Sequence, residues 1–190
     1  MDRSETPKSS AAPERTSGPQ GPRIPGDDAF LETTSQGIVW IYKYWKSRRK
    51  GCVLPRRCDI DPIDFPKHLA GILLLDVEGV GADGRGLYRY RVVGTQEVRN
   101  RGYDPTGKCV DEGYLGASLE DALESYDLVR QERTFLYDPI AFQNGRGAWI
   151  DELSILLPLS EDSENVSQII VYSEQRSTPV RGTSENSGSV

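Results

Sequence analysis

The chain has 190 residues, with 23 basic and 29 acidic side chains and a net charge of −6. That length suits one domain, and an acidic balance argues against nucleic-acid binding, which draws on a basic excess to displace counterions. No apolar run approaches the roughly 18 residues of a membrane-spanning helix, and the first residues lack the apolar stretch of a secretory signal, so a cytoplasmic protein without membrane insertion is expected.

Residues 1–28 are poor in apolar side chains and rich in proline, and residues 177–190 are mostly Gly, Ser and Thr among other small or polar residues. Neither segment can bury enough surface to offset its ordering entropy. Both are expected to be disordered tails around a domain at 29–176. Within 29–50, Ile38, Ile41, Tyr42 and Trp45 recur at helical spacing, and Trp40 and Tyr44 lie four apart on a neighbouring face. Gly37 weakens the helix at its start. The basic run Lys46–Lys50 suits a helix C-terminus, Gly51 suits a stop, and with Arg56 and Arg57 it reads as a solvated helix end.

Prolines at 55, 62 and 66 forbid a long helix in the connector 52–70. Strands are expected at Gly71–Val77 and Leu87–Val93, joined by a glycine-rich hairpin tip. A short helix capped by Thr95 follows to about Arg101, then a turn at Asp104–Gly107 and a helix over 117–131. Strands at Arg133–Phe142, Ala148–Leu157 and Val166–Tyr172 close the domain, the first two meeting at Asn144-Gly145. Local connections between strands, with helices inserted midway, give an α+β layout with an antiparallel sheet.

The segments YW at 44–45, LPRRCDIDPIDFPKHLAGILLLDV at 54–77, YRYRVVGTQEVRNRGYDPTGKCVDE at 88–112 and LPLSEDSENV at 157–166 resemble the bacterial PAS-fold family of short, mostly stand-alone proteins. The resemblance covers about 29–175. It implies a five-stranded antiparallel sheet with helices on one face and a flanking N-terminal helix. It also implies a signalling or regulatory role, and it brings no catalytic residues.

The residues themselves offer little chemistry. His68 is the only histidine, so a Ser-His-Asp triad or a His-based metal cluster is not available; it reads as a helix-end histidine, not a haem ligand. Cys109 lacks the sequence around a flavin-reactive cysteine. Cys52, Cys58 and Cys109 are odd in number and suit a reducing compartment. Asp59, Asp61 and Asp64 lack the glycine and terminal Glu of a calcium loop and suit turns and caps. No cofactor or metal is expected.

Arg89 and Arg91 share a strand face with Leu87 and Val93. An arginine among apolar neighbours needs a partner. Arg91 is expected to be buried against Asp151, Glu152 or Asp111, or to face a bound carboxylate. Arg91, Tyr90, Tyr103, Trp149 and Asp151 are the candidate ligand-binding residues. The last two strands are apolar on both faces, so both faces need cover. The mid-domain helices supply one, and the N-terminal helix, a second subunit or both supply the other. A homodimer is expected through Trp40, Ile41, Tyr44 and Trp45. The functional expectation is a non-catalytic sensory or regulatory module that works by association with itself and a signalling protein, gated by a small ligand. The alternatives are a structural interaction protein with a filled core and a small enzyme using Asp151 and Tyr103.

Overall fold

The computed structural model describes residues 24–116, 118–143 and 149–176. Five long strands, β2 (Ile72–Val80), β3 (Gly86–Val93), β4 (Leu136–Gln143), β5 (Trp149–Leu159) and β6 (Gln168–Arg176), join the two-residue β1 (Ile24–Pro25) in one sheet. Its order is β1-β4-β5-β6-β2-β3, and every neighbouring pair is antiparallel. The folded part therefore begins earlier than residue 29, because Ile24–Pro25 pairs with Leu136–Tyr137. The Asn144-Gly145 hairpin tip lies outside the described residues.

One face of the sheet carries α1 (Gln36–Ser47). Its N-cap is Ser35, whose Oγ accepts from the Ile38 amide at 3.1 Å. The helix buries Ile38, Ile41, Tyr42 and Trp45, and the Trp45 indole donates to the Pro158 carbonyl at 2.9 Å. Phe30 stacks on Tyr137 at 4.8 Å beside it. Leu54, Ile60 and Phe65 of the connector are buried as well. This face is thus covered within the chain. Gly37 has a positional role: a Cβ there would collide with the Glu174 carboxylate and come 2.9 Å from the Tyr172 hydroxyl. Its absence lets β6 approach the first turn of the helix.

Short 3-10 turns at Arg57–Asp59, Pro62–Asp64 and Leu69–Gly71 build the connector. The three aspartates act locally. Asp61 caps a turn, Asp59 takes Lys50 at 2.7 Å, and Asp64 takes Arg48 at 2.7 Å. Lys46 pairs with Asp28 at 2.7 Å, so much of the basic run is neutralised on the surface.

The opposite face carries α2 (Thr95–Arg101), the one-turn α3 (Val110–Gly113) and α4 (Leu119–Glu132). Gly94, not Thr95, is the N-cap of α2. Its φ of −63° suits any residue, but a Cβ there would sit 2.6 Å from the Leu69 carbonyl oxygen and closer still to that of Ala70. Backbone cannot move aside as a side chain can. Gly94→Ala is expected to cost about 1–3 kcal/mol in a urea melt; an unchanged midpoint would show that this junction yields.

Arg91 departs from expectation. It is exposed. The register of β2 on β3 slips between Leu74↔Val92 and Leu75↔Tyr90, which leaves Arg91 as the extra residue of a bulge. β3 is also the edge strand, so its Arg face meets solvent while Tyr88 and Tyr90 point inward and are buried. Arg89 pairs with Glu78 at 2.5 Å and donates to the Gly107 carbonyl at 2.6 Å.

Candidate functional site

The inward face of the sheet is apolar near β2 and β3, where Leu73, Leu75, Tyr88 and Tyr90 lie, and polar near its middle. Residues two apart on a strand share a face. That parity brings Glu152 and Ser154 of β5 to the same side as Leu156, opposite Ser173 of β6 and Asp138 of β4. Glu152, Ser154 and Asp138 are all buried. The hydroxyls of Ser154 and Ser173 are 2.8 Å apart, and Ser154 donates to Glu152 Oε1 at 3.2 Å.

Helix α2 supplies the facing charges. Glu97 and Arg101 lie one turn apart and pair at 2.5 Å, with side chains only 9% and 3% exposed. Arg101 Nε also donates to the Gly113 carbonyl at 3.2 Å, and its guanidinium lies 5.6 Å from the centre of the Tyr90 ring. From α4, Ser125 donates to the Asp121 carbonyl at 2.9 Å and sits 3.5 Å from Asp138. Between these layers is a cavity of about 60 Å³, roofed by Tyr114, Leu115, Ala122 and Tyr126 and floored by the polar strand residues. That is room for a few heavy atoms, well short of a drug-sized pocket.

Burial dominates the electrostatics. It pushes the Glu152 carboxyl up to about 8, with nearby Glu97 adding to the rise and the Ser173 and Ser154 hydroxyls and Arg101 opposing it. Burial therefore favours the protonated, neutral form of Glu152. Burial likewise raises the Tyr114, Tyr126 and Tyr90 phenols. The Tyr90 hydroxyl has no hydrogen-bond partner in good geometry among the described residues.

The expected ligand residues do not assemble here. Tyr90 borders the cluster through Arg101. Arg91 is on the exposed edge, and Tyr103 is exposed with Lys108 over its ring at 4.9 Å. Asp151 is one residue out of phase with Glu152, hence on the other face of β5. Trp149 lies outside the residues whose side chains are described. His68 is also on the far face. It meets the Tyr172 hydroxyl at 2.7 Å and stacks on Trp40 at 5.3 Å. Cys109 pairs by backbone with Arg89, and Cys52 and Cys58 are exposed.

An antiparallel sheet with three helices over a buried polar cavity and a fourth on its reverse is the geometry on which the sequence comparison bears. A family model described as "PAS domain" matches residues 33–171. The chain belongs to the PAS domain family. PAS domains are sensory and regulatory modules. A search of the curated proteins gives no match. Among solved structures, the chain is similar to an RNA-binding light-oxygen-voltage receptor at 14% identity, with a TM-score of 0.40, over 61% of this chain and 34% of that one. It thus spans about a third of that receptor chain, and so loose a likeness carries no further argument. Among the described residues, no helix is long and apolar enough to cross a membrane.

Proposed function

We propose that this PAS domain is a non-catalytic sensor that binds a small ligand in the cavity between α2, α4 and the sheet and reports it by changing its association with a second copy or a signalling partner. The cavity carries the proposal: buried polar groups around a void are costly unless something uses them. A route from cavity to surface supports it. On β6, Ser173 faces the cavity, while its neighbours Tyr172 and Glu174 face α1. Tyr172 donates to Glu174 at 2.5 Å, and Glu174 accepts from Ser35, the N-cap of α1. A ligand that shifts Ser173 thereby bears on the seating of α1.

On α1 the surface left for a partner is Trp40, 41% exposed, stacked on Tyr44 at 5.3 Å. Exposed Ile63 and Leu69 belong to the adjoining connector. Ile41 and Trp45 are buried in their own subunit and do not join the interface. Nucleic acid is left out on charge, given the net of −6 and the ion-paired basic run.

Light scattering tests the association. The wild-type chain is expected to be a dimer at high micromolar concentration, and Trp40→Glu with Tyr44→Glu a folded monomer whose melting temperature is lowered by the loss of the Tyr44 hydrogen bonds to Asp61 and Asp64. A monomeric wild type would remove the dimer, and a dimeric variant would move the interface elsewhere.

A further inference from the structure

The ionisable groups of the cavity are unevenly matched. Helix α2 supplies one carboxylate and one guanidinium, Glu97 and Arg101, which satisfy each other at 2.5 Å. Strand β5 adds another buried carboxyl, Glu152, whose neighbours on β5 and β6 include the neutral hydroxyls of Ser154 and Ser173. Arg101 is the only cation among the described residues that line the void. Asp138 of β4 also lines it, 3.5 Å from the Ser125 hydroxyl. Tyr114 and, from α4, Tyr126 and Ser125 complete the wall.

We infer that the cavity binds a small cation of the ammonium type, such as the head of a primary amine, between Glu97 and Glu152 in exchange for a proton. This rests on the cavity being the sensory site. An anion would meet the carboxyl groups of Glu97, Asp138 and Glu152 with the single guanidinium already committed. A neutral molecule would leave Glu152 as it is. An ammonium group makes Glu152 worth ionising, because it replaces the missing second positive charge. Its donors find carboxylate and serine oxygens, and Tyr114 and Tyr126 line the same void. The Tyr90 ring borders the same cluster, 5.6 Å from the Arg101 guanidinium. The exchange balances: the Glu152 O–H bond breaks, its proton leaves to solvent, and the ammonium enters with its own protons intact. The volume of about 60 Å³ limits the buried group to a few heavy atoms.

Three probes of like size and different charge decide the matter: ethylammonium, acetamide and acetate, titrated into the full chain by calorimetry between about pH 6 and about pH 9. Ethylammonium is expected to bind. Its affinity should rise about tenfold per pH unit below about pH 8, with close to one proton released per molecule bound in that range, and level off above, where release falls to zero. Glu152→Gln, checked for folding by its melt, should bind more weakly and lose the pH dependence. Binding of ethylammonium with a flat pH profile would overturn the exchange. Preferential binding of acetate or acetamide would overturn the cation while sparing the cavity as a ligand site. Silence from all three would overturn both.

Discussion

Arg101→Ala is expected to lower unfolding stability by about 3–5 kcal/mol, because it strands the Glu97 carboxylate in a site that water barely reaches. The guanidinium does three things at once. It neutralises Glu97, it donates to the Gly113 carbonyl at the end of α3, and it lies over the Tyr90 ring. Lysine can replace only the charge, since it lacks the planar fork, so Arg101→Lys should recover part of the loss. The double variant Glu97→Gln, Arg101→Met removes both charges and should be more stable than Arg101→Ala alone, which separates the penalty of a lone buried charge from the value of the pair. Urea unfolding of the three proteins reads these differences directly. A loss below about 1 kcal/mol for Arg101→Ala would mean that Glu97 reaches water.

Arg91 shows where sequence patterning misled. In YRYRVV the alternation is plain, and it separates Tyr88 and Tyr90 from Arg89 and Arg91 correctly. What it cannot state is which face the helices will cover or where a bulge falls. Both were decided by tertiary context: β3 became the edge of the sheet, and the slip opposite Leu74–Leu75 turned Arg91 outward. The strongly periodic parts were legible for the opposite reason. The stripe Ile38, Ile41, Tyr42, Trp45 has one way to bury itself, and the pattern gave α1 to within a few residues. The two local hairpins and the α+β order followed from turn composition. Gly37 looked like a weakness in the helix and is an approach point for β6.

The cavity was harder to see. Glu97 and Arg101 stand four apart in TQEVRNR, a spacing that signals a helical ion pair, yet nothing local says that the pair is buried. The clearer signal lay in ELSIL, where Glu152 and Ser154 interrupt an otherwise apolar strand at two-residue spacing. Buried polar positions in phase on a central strand are uncommon enough to ask what they face. Choosing Asp151 in place of Glu152 moved the candidate site through the sheet to its other side, because a shift of one residue reverses the face.

Glu152 also gives the fold a dependence on pH of unusual sign. Most buried carboxylates are held ionised by partners and lose their stabilising effect in acid. Burial here raises the folded-state value to about 8, against 4.5 for the free side chain. Above about 4.5 the unfolded chain has released this proton and the folded chain still holds it, so the folded state binds more protons and its stability falls as pH rises. The fall continues to about pH 8, where Glu152 ionises in the fold too, and stops there. Glu152→Gln keeps the shape and a donor while removing the titration. Relative to wild type it should gain little near pH 4.5 and on the order of 4–5 kcal/mol by about pH 8, with a plateau beyond. Denaturant midpoints of the two proteins across that range provide the measurement, and their difference cancels every other titrating group. A difference that stays constant with pH would show that burial leaves the Glu152 value unshifted in the fold; one that shrinks as pH rises would reverse the sign of its shift.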